Sequence, residues 1–168
     1  MSDTAAPQPI WAPVQRFLMS TPKRNFIAIP LLVIVFELIV LGQLSFNLLG
    51  SVPGLALMVG GFLLYKLVGA YRLGIAKGSP GMSQGMPERL VTEGPYKYTR
   101  NPMYLGHLLF LLGLAMTTLS WLALLILIGN LFWFHQRVLM DEARLKEAFG
   151  SSYTAYKAKV KRWIPYVY

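Results

Sequence analysis

Four long apolar stretches constrain the fold of this chain more than any other feature. They cover about residues 26–49, 53–75, 103–119 and 121–139, and each approaches the roughly 20 residues that a helix needs to cross a bilayer core. None shows the apolar and polar alternation of barrel strands, and backbone polar groups in lipid must be satisfied within a helix or a closed barrel. We therefore predict an all-α polytopic membrane protein with four transmembrane helices.

Two short uncharged segments join these stretches in pairs. Gly50-Ser51-Val52-Pro53-Gly54 and Thr117-Thr118-Leu119-Ser120 contain turn-forming residues. They predict two helical hairpins. Small residues let membrane helices approach closely, and we expect this of the following glycines: Gly60, Gly61, Gly69, Gly106 and Gly113.

Charge placement predicts the orientation in the membrane. The chain has 168 residues, is 55% hydrophobic and carries a net charge of +9. Its Lys and Arg residues lie almost entirely before the first stretch, between the hairpins and after the fourth, while the two short turns have none. By the positive-inside rule both termini and the 76–102 loop are cytoplasmic. We expect an integral protein of the bacterial inner membrane, in contact with anionic lipid and not with nucleic acid.

The regions outside the spans have their own patterns. Residues 1–25 form a cytoplasmic tail with an interfacial segment, and residues 26–168 form the membrane domain. After residue 140, apolar residues recur every three or four positions among Lys and Arg, which predicts an amphipathic surface helix over 140–162, broken near Gly150. The loop at 76–95, rich in Gly and Pro, is either a linker or a lid over a site. The chain has no cysteine, which excludes thiol chemistry and Cys-based metal sites, and we predict no metal.

A polar, basic segment leads directly into the third apolar stretch. Pro102 stands where a helix can begin, and Asn101 then falls at the N-cap, where its side chain can accept from free backbone N–H groups. Capping and interfacial anchoring explain Asn101 and Arg100. They do not explain Tyr104 and His107, which share one helix face inside the membrane, so a functional site is predicted here.

Two other groups of charged residues have structural as well as functional interpretations. Arg137 and Asp141 are four residues apart and can form an ion pair on one helix face, which leaves Glu142 free to receive a cationic group. Glu37 and Lys66 lie deep in adjacent predicted spans, where an ion pair that neutralises both charges is favoured over a role in a substrate pocket.

The order and spacing of three motifs resemble the integral-membrane methyltransferases of the isoprenylcysteine carboxyl and phosphatidylethanolamine types. The resemblance covers residues 72–165. Its motifs are Leu90-Val91-x-x-Gly94-Pro95-Tyr96-x-Tyr98-x-Arg100-Asn101-Pro102-Met103-Tyr104-Leu105-Gly106, Arg137-x-x-x-Asp141-Glu142-x-x-Leu145, and Phe149-Gly150-x-x-Tyr153-x-x-Tyr156-x-x-x-Val160-x-Arg162-Trp163-Ile164-Pro165.

The resemblance implies an S-adenosylmethionine-dependent methyltransferase that releases S-adenosylhomocysteine. Its acceptor would be a lipid or lipophilic molecule that enters laterally. Arg100, Tyr104 and Glu142 would serve catalysis, with Glu142 holding the methionine amino group and the Tyr rings stabilising the sulfonium by cation–π contact. The implied cofactor-binding residues are Gly94, Pro95, Tyr96, Asn101, Pro102, Tyr104, Leu105, Gly106, His107, Arg137 and Glu142.

Two departures from the family pattern bear on the acceptor. The carboxyl methyltransferases carry His where this chain has Asn101, and Glu where it has Asp141. The Asn-Pro-Met-Tyr form is more similar to the phosphatidylethanolamine methyltransferases, which favours a phospholipid amine over a prenylcysteine carboxylate. The alternatives are an NADPH-dependent reductase related to sterol reductases, although such enzymes have more spans, and a non-catalytic membrane protein. The sequence does not predict the oligomeric state.

Overall fold

The computed structural model describes residues 11–40, 42, 48–76 and 87–164. All regular structure within these ranges is helical, which confirms the predicted all-α class. The chain divides into two compact units, Met1–Leu44 and Ser45–Tyr168.

The first unit is a run of consecutive helical segments. Helix α1 spans Ala12–Met19, α2 spans Thr21–Lys23, a π-helical turn covers Arg24–Ala28, and α3 spans Ile29–Val40. A proline is the second residue of α1 and of α2, within the first turn, where a missing N–H removes no intrahelical bond. From the π turn onward the buried residues recur every fourth position, at Asn25, Ile29, Val33 and Glu37. The rest of this apolar helix is largely exposed.

Three helices and a short 3-10 turn build the second unit. Helix α4 spans Leu48–Ala76, the turn covers Gly94–Lys97, α5 spans Pro102–Thr118 and α6 spans Trp121–Lys159. Helices α4 and α6 are long and apolar enough to cross a membrane, with mean hydropathy of 1.6 and 1.5 in their most apolar windows. Only 22% of each window is buried within the protein, unlike the core helix of a soluble protein. Helix α5 is apolar but shorter, and the complete four-span arrangement stays a prediction.

Helices α4 and α5 cross at two pairs of glycines. A Cβ atom at Gly61 would lie 2.5 Å from the carbonyl oxygen of Gly106, and one at Gly106 would lie 2.7 Å from the carbonyl oxygen of Gly61. Seven residues along each helix, Gly54 and Gly113 meet in the same way. The predicted packing role is therefore confirmed for Gly61, Gly106 and Gly113. It is wrong for Gly60, where no atom of the described residues lies within 4 Å of a Cβ.

The turn predicted at residues 50–54 is wrong. Helix α4 begins at Leu48 and includes Pro53 in its interior, so the predicted span 53–75 starts too late. Tertiary packing overrides the turn signal, because Gly54 is needed for the contact with Gly113 and Ser51 is buried. Leu41 and residues 43–47, which end the first predicted span and precede α4, lie outside the described residues.

The second predicted turn is confirmed. Helix α5 ends at Thr118, Leu119 adopts a left-handed conformation with φ of 49°, and α6 begins at Trp121. The Ser120 hydroxyl accepts a hydrogen bond from the backbone N–H of Ala123, an ordinary N-cap contact. Helices α5 and α6 therefore form a hairpin.

The C-terminal part of α6 packs back onto the segment before α5. Helix α6 runs without interruption through residue 140, and its break lies at Gly150, with φ of 52°, as predicted. Beyond the break, Tyr153 and Tyr156 form a buried cluster with Val68, Val91 and Tyr96. This cluster anchors residues 90–96, so that part of the predicted lid is held in place, whereas residues 77–86 lie outside the described residues.

The predicted Glu37–Lys66 pair joins residues of different units and stays a prediction. Glu37 is 2% exposed and Lys66 is exposed. We expect Glu37→Gln and Lys66→Met each to lower thermal stability if the charges neutralise each other, since either change leaves a lone charge. The double variant should then recover much of the loss, measured as the melting temperature in detergent. Additive losses would show that the two side chains do not interact.

Candidate functional site

The segment from Tyr96 to Asn101 is fixed to the C-terminal end of α6 and the residues after it. The backbone N–H of Arg100 donates to the Lys161 carbonyl at 3.0 Å. The Thr99 hydroxyl donates to the Arg162 carbonyl at 3.0 Å, and the Tyr156 hydroxyl donates to the Tyr96 carbonyl at 2.7 Å. The first and third sequence motifs thus form one structural unit at the start of α5.

Asn101 occupies the predicted N-cap position, but its predicted capping hydrogen bond is absent. The side chain makes no cap contact; its Nδ2 donates instead to the Arg162 carbonyl at 3.1 Å. The bond to the Arg162 carbonyl holds the amide in an orientation in which Oδ1 makes no cap contact. Pro102 is the first residue of α5 and is buried, as predicted. Asn101 therefore fastens the loop to the C-terminal segment.

Glu142 is the centre of a buried ion-pair cluster. Arg162 binds its carboxylate in a bidentate manner, with Nε to Oε1 at 2.9 Å and Nη2 to Oε2 at 3.0 Å. Arg100 Nη2 lies 3.0 Å from Oε1, and Lys157 Nζ lies 3.5 Å from Oε2. The Arg100 and Glu142 side chains are 7% and 8% exposed, and Lys157 is 51% exposed. Three cations around one carboxylate leave an excess of positive charge.

The members of this cluster differ in which further groups they can bind. A carboxylate offers about four lone-pair positions, and each oxygen of Glu142 already faces two cationic nitrogens. Arg100 is the opposite case, because its buried Nε and Nη1 have no hydrogen-bond partner within the described ranges. Buried donors usually have partners. The geometry therefore suits an anionic group at Arg100.

A second polar group forms one residue earlier on α6. The Tyr104 hydroxyl donates to Asp141 Oδ2 at 2.8 Å, and Arg137 Nε lies 3.7 Å from Asp141 Oδ1. The predicted Arg137–Asp141 ion pair is confirmed. Consecutive residues of a helix point about 100° apart, so Asp141 holds Tyr104 on α5 while Glu142 binds the arginines.

Aromatic rings pack beside this polar group. Ring centroids of Tyr104 and Phe134 are 4.9 Å apart, and those of His107 are 5.6 Å from Phe134 and 4.8 Å from Tyr65. His107 is 3% exposed. The predicted shared face of Tyr104 and His107 therefore contacts aromatic side chains of α4 and α6.

The remaining predicted cofactor residues shape the entry to α5. Gly94 has φ of 57°, and a Cβ there would lie within 3 Å of the Tyr71 ring, so only glycine fits. Pro95 lies in the 3-10 turn with Tyr96, whose hydroxyl pKa is raised by burial although Arg72 opposes the shift. Leu105 donates its backbone N–H to the Asn101 carbonyl, and Gly106 packs on Gly61 as described above.

Sequence reasoning missed the partners that α6 and the following residues supply. Arg162 and Lys157 were not assigned to the site, although Arg162 belongs to the third motif. Membership of that motif is the sequence signal that points to Arg162 as a site residue. Phe134 and Tyr65 carry no such signal, because aromatic residues in apolar helices are usually packing residues.

Comparison with known families places the chain in a group. Residues 49–152 match the family described as phospholipid methyltransferase. The chain belongs to this family. The matched range contains α4, α5 and most of α6, with the first two motifs and Glu142. Members of the family use S-adenosylmethionine as the methyl donor.

The similar curated proteins are protein-S-isoprenylcysteine O-methyltransferases. The chain is 39% identical over 80 residues to the one from Schizosaccharomyces pombe and 37% identical over 79 residues to the one from Saccharomyces cerevisiae. These alignments cover 46% of this chain, and 34% and 33% of the relatives. The B form from Arabidopsis thaliana is 32% identical over 82 residues, which cover 47% of this chain and 41% of that protein. The chain thus spans about a third of the length of the first two. No solved structure matches significantly.

Proposed function

We propose that this protein is an S-adenosylmethionine-dependent membrane methyltransferase acting on a lipid or lipophilic acceptor. The observation that carries the proposal is the joining of the family motifs around Glu142, where two buried donors of Arg100 have no hydrogen-bond partner among the described residues. The family match favours methyl transfer over the NADPH reductase and the non-catalytic alternatives.

The cluster can bind the charged ends of the cofactor and the acceptor. Bound S-adenosylmethionine would supply an electrophilic methyl group on a sulfonium. Arg100 can hold a carboxylate or phosphate through Nε and Nη1, the two donors that have no partner in the described part of the chain. Lys157 is the partner of Glu142 with the longest contact distance and the highest exposure. If Lys157 moves away, Glu142 can accept an ammonium group. The rings of Tyr104 and Phe134 can face the sulfonium, where cation–π contact is favourable.

The protein itself would mainly align the reactants and exclude water. Methyl transfer is a displacement in which the acceptor atom must lie in line with the methyl group. The Tyr104–Asp141–Arg137 chain fixes the Tyr104 ring from α6. The segment from Tyr96 to Asn101 is fixed by the C-terminal residues, so both sides of the site are preorganised.

For the acceptor, we favour a phospholipid amine. Asn101 in place of His and the description of the matched family support it. A prenylcysteine carboxylate is the second candidate, because the similar curated proteins are isoprenylcysteine O-methyltransferases.

The deciding experiment supplies labelled S-adenosylmethionine to the purified protein in vesicles. One set contains phosphatidylethanolamine and the other contains a farnesylcysteine analogue in phosphatidylcholine. Base-stable label in extracted lipid would identify N-methylation, and base-labile label in the analogue would identify a methyl ester. Label in neither would reject both acceptors.

Four spans with both termini cytoplasmic are also proposed. Because the chain has no cysteine, single cysteines report the topology. We expect Leu119→Cys to react with a membrane-impermeant maleimide added outside intact cells, and Gln84→Cys to react only after permeabilisation. The α5–α6 turn at Leu119 carries no charge, whereas the loop containing residue 84 is flanked by basic residues. Reversed labelling would overturn the orientation and the cytoplasmic site.

Conservative changes at Arg100 separate catalysis from anchoring. Arg100→Lys keeps one charge near Glu142 but loses the planar fork and its spare donors. We expect turnover to fall at least about tenfold, equivalent to one charge-assisted hydrogen bond, with a near-normal melting temperature. Tyr104→Phe, which keeps the ring and loses the bond to Asp141, should likewise change rate more than stability. Full activity in Arg100→Lys would show that Arg100 only anchors the helix at the membrane interface.

A further inference from the structure

Helix α1 has an apolar face with no role in the proposed site. Trp11, Val14 and Leu18 lie three and four residues apart and share one side of the helix. They are 61%, 60% and 46% exposed. Arg16 falls on the opposite side by helical geometry. Such a division into an apolar and a basic side is typical of helices that lie in a membrane interface.

An open groove runs along this face. It has a volume of about 410 Å³ and is lined by Trp11, Val14, Gln15, Leu18, Met19 and Arg24. The lining is mainly apolar and includes one basic residue, Arg24. This combination suits a molecule that has both a hydrocarbon part and an anionic group.

The surrounding charge is of one sign. Residues 11–36 contain Arg16, Lys23 and Arg24 and no acidic residue. Lys23 Nζ lies 5.9 Å from the centre of the Phe17 ring, next to the apolar face. Each basic residue near an anionic leaflet contributes favourable electrostatic energy. The charge is therefore complementary to acidic headgroups.

We propose that α1 is a binding surface for anionic phospholipid, lying in the headgroup layer with Trp11, Val14 and Leu18 among the acyl chains. A membrane partner is favoured over an acidic protein because only residues 20–25 separate α1 from the apolar run that begins at Phe26 and continues through α3. Exposed side chains on α3, including Leu31, Val35 and Ile39, suit a lipid environment. The proposal rests on the membrane embedding in the proposed function and is independent of methyl transfer.

The absence of cysteine allows a direct test in the full chain. Leu18→Cys carries an environment-sensitive fluorophore on the apolar face, and Pro13→Cys, also exposed, carries it on the other side of α1. Each labelled protein is placed in phosphatidylcholine vesicles with or without phosphatidylglycerol. Iodide quenching measures exposure to water. A label at Ile128→Cys, an exposed apolar position of α6, reports whether the protein is embedded at all.

We expect the label at residue 18 to be protected with phosphatidylglycerol and much more exposed without it, while the label at 13 stays exposed in both. Neutralising Arg16 and Lys23 to Gln should lower the ratio of protected to exposed label at least about fivefold, since one basic residue is worth about a fivefold change near an anionic surface. Equal protection in both vesicles, protection that survives neutralisation, or protection in neither would overturn the proposal. An exposed label at 128 would instead overturn the membrane embedding.

Discussion

Replacing Glu142 by glutamine is expected to weaken S-adenosylhomocysteine binding by about ten- to a hundredfold. A charge-assisted hydrogen bond contributes about 1.5–3 kcal/mol, and each 1.4 kcal/mol is a factor of ten in affinity. The variant also leaves Arg100 and Arg162 without their buried counter-charge, so the melting temperature should fall as well. Calorimetric binding is therefore measured at a temperature where circular dichroism shows that the variant is folded.

Lys157 provides the matched control for this prediction. It is the most exposed partner of Glu142 and the most distant, at 3.5 Å. If a cofactor ammonium takes its place at Oε2, Lys157→Met should keep or raise the affinity. If Glu142 only neutralises the arginines, both variants should bind the cofactor product as the parent protein does. Unchanged affinity in Glu142→Gln would remove Glu142 from the cofactor site.

The helical class and the position of α5 could be predicted from the sequence because they depend on local signals. Apolar length identifies α4 and α6, and Pro102 marks the start of α5 whatever surrounds it. The prediction of a turn at residues 50–54 is wrong because it also depends on local signals alone. Local composition favours a turn there, while the contact between Gly54 and Gly113 depends on residues 59 positions apart.

The site was predictable to the extent that its members lie in motifs. Arg137–Asp141 is a contact between residues of one helix turn and follows from spacing alone. The bond from Asn101 to the Arg162 carbonyl joins residues 61 positions apart. No spacing rule reaches that far, so local spacing predicts only helix capping for Asn101, and its cofactor role is implied by the family resemblance. Likewise the binding of Glu142 by Arg100 and Arg162 required the C-terminal residues to fold back beside α5.

Gly61→Ala is expected to destabilise the protein, whereas Gly60→Ala is not, although the two residues are neighbours. A methyl group at residue 61 would lie 2.5 Å from the Gly106 carbonyl oxygen and 2.6 Å from the Phe110 backbone nitrogen. Neither backbone atom can move without separating α4 from α5. Overpacking of this kind costs about 1–3 kcal/mol. At Gly60 no atom of residues 11–40, 42, 48–76 or 87–164 lies within 4 Å of the added methyl group, so it meets no clash there.

The pair distinguishes helix packing from a general effect of removing glycine. Alanine favours a helix over glycine by about 1 kcal/mol, so both substitutions gain the same propensity term and differ only in their surroundings. Thermal unfolding in detergent should show a lower melting temperature for Gly61→Ala and an equal or higher one for Gly60→Ala. Gly106→Ala acts on the same contact, so its effect should combine non-additively with that of Gly61→Ala. Equal melting temperatures for the variants at 60 and 61 would show that α4 and α5 do not cross at these glycines. The α4–α5 contact could then not be what holds Tyr104 of α5 in place opposite Asp141.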